Sequence, residues 1–154
     1  MKLALSTADS LSEALEWVEF LEPRLMEAVE PMLVDEPQPG LLRAFFERSF
    51  DDPECLLVLA REPGEPRVWG AAVCGAFVDP LSAQRVPMLL GLWVDPSLRH
   101  RGVARGLQEE ARRILAARGL RDFATRAAYN DDALVSMGER WGYLRHWEFM
   151  LGEL

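Results

Sequence analysis

The chain has 154 residues, 49% of them hydrophobic, and carries a formal net charge of −8 at pH 7. That length suits a single domain over residues 1–154, with one core burying roughly 70% of the surface an unfolded chain exposes. The acidic balance argues against nucleic-acid binding, no apolar run nears the roughly 20 residues of a membrane helix, and the N-terminus lacks the basic-then-apolar order of a signal peptide. A cytoplasmic protein without membrane contact is the expectation.

Lys2 to Ser6 reads as a short first strand. Ser10-x-x-Glu13 has the form of a capping box, and Leu11, Ala14, Leu15, Val18 and Leu21 follow at helical spacing. A first helix is therefore predicted to about Glu22, stopping at Pro23. Residues 23–40 hold four prolines and Gly40, which predicts a broken helix over Arg24–Glu30 and then a loop. Leu41–Phe50 is a second helix with Leu42, Phe45, Phe46 and Phe50 on one side. Cys55–Ala60 is apolar throughout and reads as a strand. The turn-rich Glu62–Arg67 leads into a second strand, Val68–Val78, where Gly70 and Gly75 suggest a bulge.

Leu81–Val86 is a connection into a central strand, Leu89–Val94, which Asp95-Pro96-Ser97 closes. A helix of about four turns then starts at Val103 and stops at Arg118-Gly119, with Leu107, Ala111, Ile114 and Leu115 on one face. Arg121–Tyr129 is a strand, Ala133–Arg140 a short helix and Tyr143–Leu151 a last strand. Strands and helices in this order imply a mixed sheet flanked by helices. Cys55 and Cys74, the two cysteines, sit in apolar strand-like segments and read as buried free thiols, and no Cys/His spacing suggests a metal site.

Chemistry concentrates between the central strand and the helix after it. Residues 99–126 hold eight Arg against three acidic side chains, whereas residues 1–98 hold seven basic against seventeen acidic. Within that basic segment Arg99-His-Arg-Gly-Val-Ala opens directly into the helix. The first N–H groups of a helix lack partners and its dipole favours anions there. Gly102 and Ala104 leave room, and Arg99, Arg101 and Arg105 supply charge-assisted contacts. The segment reads as a pyrophosphate cradle. Neither a Walker A loop nor a Gly-x-Gly-x-x-Gly dinucleotide motif is present.

Arg99-x-x-Gly102-x-Ala104 after a strand ending Val94-Asp95-Pro96 resembles the acetyl-CoA motif of the GNAT family of N-acyltransferases, Gln/Arg-x-x-Gly-x-Gly/Ala. The resemblance covers nearly the whole chain, element by element. It implies an α/β fold with a mixed, mostly antiparallel sheet of about six or seven strands and about four helices. It also implies acetyl-CoA or another acyl-CoA as co-substrate, and a small-molecule or peptide amine acceptor whose pocket residues 23–50 shape. Leu92 and Val94 would give backbone contacts to the pantetheine, with Trp93 between them. The Val94 N–H would polarise the thioester carbonyl. Backbone N–H groups from Arg101 through Gly102, Val103 and Ala104 to Arg105 would take the pyrophosphate. His100 either touches the cofactor or faces water. Asn130 and the pair Gly142-Tyr143 bracket a second family signature, and a homodimer, common among such proteins, is compatible with the resemblance.

Two departures from the family pattern bear on catalysis. The position where many members carry a thiolate-protonating Tyr falls on Gly138 or Met137, depending on the end from which it is counted. The positions of the family's usual Glu base fall on Met88 and Leu90. Tyr129 and Glu139 are replacement candidates, each with an ordinary alternative as a packed aromatic or a solvated helix residue. Asp79 and His146 are weaker ones. Three readings follow: an N-acetyltransferase working by direct attack of a primary amine, a non-catalytic acyl-CoA-binding or regulatory module, or an unrelated α/β nucleotide-binding protein.

Overall fold

The unbroken apolar run Leu56–Ala60 is buried at every position, because both faces of the strand it forms are covered by helices. The computed structural model describes residues 3–28, 39–79, 81–125 and 132–144. Strands β1 (Ala4–Thr7), β2 (Leu56–Arg61), β3 (Val68–Val78), β4 (Arg85–Val94) and β5 (Ala124–Thr125) form one sheet in that order. The first three junctions are antiparallel and β4–β5 is parallel, so the sheet is mixed and mostly antiparallel. Four helices accompany it: α1 (Leu11–Ala28), α2 (Leu41–Ser49), α3 (Val103–Ala117) and α4 (Asp132–Arg140). Five strands among the described residues are fewer than the six or seven expected. The expected strand 143–151 lies almost wholly outside the described residues; of the expected strand Arg121–Tyr129, Ala124–Thr125 is strand, 121–123 are not, and 126–129 lie outside the described residues.

One core cluster lies under α1 and α2, built on Val18, Leu21, Phe46, Leu57 and Leu59. The other lies under α3, where Leu107, Ala111 and Leu115 meet Val58, Ala72 and Cys74. Both cysteines are buried free thiols. No helix among the described residues is long and apolar enough to cross a membrane.

Three expectations need correction. α1 does not stop at Pro23 but runs through it to Ala28, with no break before Arg24. Proline removes one N–H and pushes on the preceding turn, yet Leu21 and Leu25 on either side are 0% and 7% exposed. Their burial holds the helix together across the defect. β4 begins at Arg85, not Leu89, because Arg85 is anchored from β2's side. Its Nε and one Nη each donate to Glu54 at 2.9 Å, and the same Nη reaches Asp52 at 3.1 Å.

Of the bulges suggested at Gly70 and Gly75, the second is displaced. Val73 pairs with Gly91 and Cys74 with Leu89, leaving Leu90 of β4 as the extra residue. Before it, Leu89 joins the α3-side core; after it, Leu92 and Val94 do so while Trp93 joins the α1 side. The single inserted residue therefore resets which side chains β4 shows to each face. The bulge suggested at Gly70 is present: Ala60 pairs with Gly70 and Arg61 with Val68, leaving Trp69 of β3 as the extra residue beside the glycine.

Candidate active site

α3 starts where β4 ends. Gly70, the β3 partner of Val94, lies beneath the first turn of α3. A Cβ on Gly70 would come within 3.0 Å of Leu107 Cδ1, 3.1 Å of the Trp93 carbonyl and 3.4 Å of Val103 Cγ1. Only a residue without a side chain lets the helix sit this close to the strand ends.

The link between them is short and tied at each step. The Asp95 N–H donates to the Trp69 carbonyl at 2.8 Å, and Asp95 Oδ1 accepts from the Ser97 N–H at 3.0 Å and the Ser97 hydroxyl at 2.6 Å. The Ser97 hydroxyl, with smaller help from the Ser97 N–H and Arg67, holds the Asp95 carboxyl below the usual carboxylate range despite partial desolvation. A 3-10 turn, Pro96–Leu98, follows. His100 and Gly102 then take positive φ of 63° and 81° and turn the chain into α3.

Alternate N–H groups of a strand point to opposite neighbours. Since the Asp95 N–H points to β3, the Val94 and Leu92 N–H groups point the other way, toward the edge where β5 pairs at Met88 and Leu89. The side chains of Leu92 and Val94 are half-buried under α3, and Trp93 is buried among the α1-side core residues. Leu92 and Val94 thus offer backbone groups along one edge, Trp93 turns its backbone groups to β3, and the side chains of all three serve packing.

At the start of α3 no side chain caps the helix and no acidic residue lies in the first turn. The Gly106 N–H is the first to reach a helical carbonyl, that of Gly102 at 2.9 Å. Among the described residues the N–H groups of Val103, Ala104 and Arg105 find no acceptor. Space around Gly102 is open, since a Cβ there would meet no atom within 4 Å. Arg99, His100 and Arg101 are exposed around this terminus. Arg105 is instead paired with Glu109 at 2.7 Å, so it is less available than Arg99 and Arg101. An uncapped helix N-terminus, open space and exposed guanidinium groups suit an anionic group of diphosphate size.

α4 ends in a glycine stop. Gly142 has φ 85°, the Gly142 N–H donates to Glu139 and the Tyr143 N–H to Gly138, the pattern of a Schellman motif. Tyr143 then docks on α3, accepting a hydrogen bond from Gln108 Nε2 at 3.1 Å. Burial pushes its phenol up to about 12, so it keeps its proton at neutral pH. Gln108 is 1% exposed within the apolar stripe of α3; that lone polar residue among Leu107, Ala111 and Leu115 was the sequence signal for this latch.

Met88 and Leu90 supply no titratable group, and Leu90 faces α2: a Cβ on Gly75 would meet Leu90 Cδ1 and the Phe45 ring, each at 2.8 Å. Gly138 and Met137 sit on α4 and cannot donate a proton either. Glu139 is exposed on the same helix. Asp79 is not brought to Val94. It sits at the other end of the β3–β4 hairpin, accepting from the Leu81 and Ser82 N–H groups at 2.8 and 2.9 Å. Tyr129, Asn130 and His146 lie outside the described residues. A recess of about 180 Å³ lined by Thr7, Asp9, Cys55 and Arg118 lies at the opposite end of α3, about 22 Å from Gly102 for a 15-residue helix. It is not part of this site.

The acetyltransferase (GNAT) family model matches residues 16–143. The chain belongs to the GNAT family. No curated protein matches it in sequence. Among solved structures, it is similar to the aminoglycoside N-acetyltransferase AAC(6')-Iy bound to a CoA bisubstrate analogue, with TM-score 0.70, 18% identity and coverage of 100% of this chain and 99% of that one. AAC(6')-Ih from Acinetobacter baumannii gives TM-score 0.69 at 16% identity, covering 99% and 98%. A ribosomal-protein-alanine N-acetyltransferase from Brucella melitensis gives 0.68 at 14%, covering 100% and 99%. At such identities the likeness is one of fold. This GNAT chain shares it end to end with proteins whose acceptors differ.

Proposed function

We propose that this GNAT protein is an N-acetyltransferase that moves the acetyl group of acetyl-CoA to a primary amine by direct attack. The observation that carries the reading is the junction of β4 and α3. There the outward-turned Val94 N–H is separated from the uncapped amides of α3 only by the short, hydrogen-bonded link Asp95–Gly102. Acetyl-CoA supplies a thioester whose carbonyl carbon the amine attacks and whose thiol leaves. The amides of Val103, Ala104 and Arg105, with Arg99 and Arg101, hold the diphosphate. The Val94 N–H donates to the carbonyl oxygen as negative charge gathers on it, and Leu92 and Val94 orient the chain that carries the thioester. Asn130, Tyr129 and Glu139 remain candidates for contacts to the cofactor arm and for proton transfer. The acceptor is an amine, as it is for the aminoglycoside and ribosomal-protein enzymes of similar fold.

Release of thiol from acetyl-CoA across a panel of amines tests this. Cys55 and Cys74 are buried, and desolvation raises them to about 11 and about 12, so the folded protein's own thiols stay silent in a disulfide-exchange assay. Turnover on at least one amine is the expected result. The apolar Met88 and Leu90 favour a second reading, an acyl-CoA-binding module without catalysis. Tight binding of CoA with no thiol release on any amine would select it.

A further inference from the structure

Arg43, Arg61, Arg67 and Arg85 each pair with a carboxylate. Arg24 has no carboxylate partner among the described residues, although it is half-buried. Its guanidinium lies 3.7 Å from the Phe20 ring centroid and 5.5 Å from that of Trp93. One Nη donates to the Phe20 carbonyl at 2.6 Å; among the described residues Nε and the other Nη donate to nothing. The carboxylate of Glu22, two residues away, is committed to the start of α2, accepting from the Gly40 and Leu42 N–H groups at 2.9 and 2.8 Å.

The position matters as much as the missing partner. α1 crosses the sheet from β2 to β4. Trp17 lies 5.9 Å from the guanidinium of Arg61 on β2, Phe20 meets Trp93 of β4 edge-on at 5.6 Å, and Leu25 abuts Gly91. Arg24 therefore sits over the last residues of β4, on the face opposite α3. Its aromatic neighbour Trp93 directly precedes Val94, the donor assigned to the thioester carbonyl. A guanidinium stacked on two rings is weakly hydrated and already oriented, so a carboxylate gains a two-pronged contact without first ordering the side chain.

We infer that Arg24 is the acceptor-side anion receptor: the preferred acceptor carries a carboxylate near its amine, as an amino acid or peptide does, and Arg24 binds that carboxylate while the amine faces the thioester. The inference rests on the transferase reading for the place of the amine. The Arg24 site itself is testable without turnover.

The test uses the full chain saturated with CoA and a series of N-acetyl ω-amino acids of increasing length, each against its carboxamide. These products lack a basic amine, so amine basicity does not enter. Calorimetry is expected to show at least one carboxylate binding roughly 10- to 100-fold tighter than its carboxamide. Arg24→Met, which keeps the apolar stem against the rings, brings that ratio to near one; Arg24→Lys, which keeps the charge and loses the fork, leaves it intermediate and covers the case in which the Met variant fails to fold. Equal affinities across the wild-type series, no binding of any carboxylate, or a ratio unchanged in both variants would overturn the proposal. Turnover on amines without carboxylate preference removes the Arg24 assignment and leaves the transferase. Carboxylate-selective binding lost in the variants, with no turnover on any amine, does the reverse.

Discussion

Gly102 carries two separate demands, and a substitution can pull them apart. Its φ of 81° is a left-handed conformation that costs a branched residue about 1–2 kcal/mol, and its open side faces the proposed diphosphate. Gly119 at the other end of α3 has φ 85° and likewise no atom within 4 Å of a built Cβ, but it lies far from any proposed ligand. Gly102→Val and Gly119→Val should therefore lose similar stability, a fall of about 3–8 °C in melting temperature. Only Gly102→Val should also weaken CoA, by roughly tenfold or more, because its side chain enters the space where the diphosphate meets the amides. Calorimetric titration of CoA into both variants checks this. Equal affinities would mean that the phosphates bind elsewhere.

At the scale of elements, close approaches at glycines set how helices seat on the sheet. The Gly75 Cβ would be 2.8 Å from both the Phe45 ring and Leu90, side chains wedged between α2 and the β4 bulge. Gly75→Ala should destabilise by roughly 1–3 kcal/mol through overpacking. Gly106 differs: it lies in the first turns of α3, and a Cβ there would meet only Leu5 Cδ1, at 3.8 Å. Gly106→Ala should stabilise by about 0.5–1 kcal/mol through helix propensity. Opposite shifts of the urea midpoint at constant slope are the expected result.

Local signals at the ends of elements were legible in the sequence. The start of α3 at Val103, its stop at Arg118-Gly119 and its apolar face follow from local turn chemistry and periodicity within a few residues. What escaped depends on distant partners. α1 survives Pro23 because Leu25 is buried against Gly91, and β4 starts early because Arg85 reaches Glu54, 31 residues away. The bulge at Leu90 is a property of register between two strands, and the stacking of Arg24 on Trp93 joins residues 69 positions apart. No window of sequence contains such facts. The missing family Glu and Tyr, by contrast, were plain at Met88, Leu90, Met137 and Gly138, since substitution of a polar type by an apolar one is visible without coordinates.

For the molecule as a whole, those apolar positions shape the pH response of the reaction. An alkylamine with pKa near 10.4 is neutral in only about one molecule in 10³ at pH 7, and direct attack needs the neutral form. With a general base poised near 7, an enzyme takes that proton from the bound ammonium and flattens the profile above its own pKa. Met88 and Leu90 cannot do so, and Tyr143 keeps its proton up to about 12 and is bonded to Gln108. We expect kcat/KM for an alkylamine acceptor to rise about tenfold per pH unit from 7 to near 10, tracking neutral amine. For an α-amino acceptor, with pKa near 7.7–8.0, the same profile should level off by about pH 8. The assay is initial-rate thiol release for the two acceptors over that range. A profile for the alkylamine that levels off near pH 7 would place a working base in the protein, and Tyr129, Glu139 and His146 would be the first residues to replace.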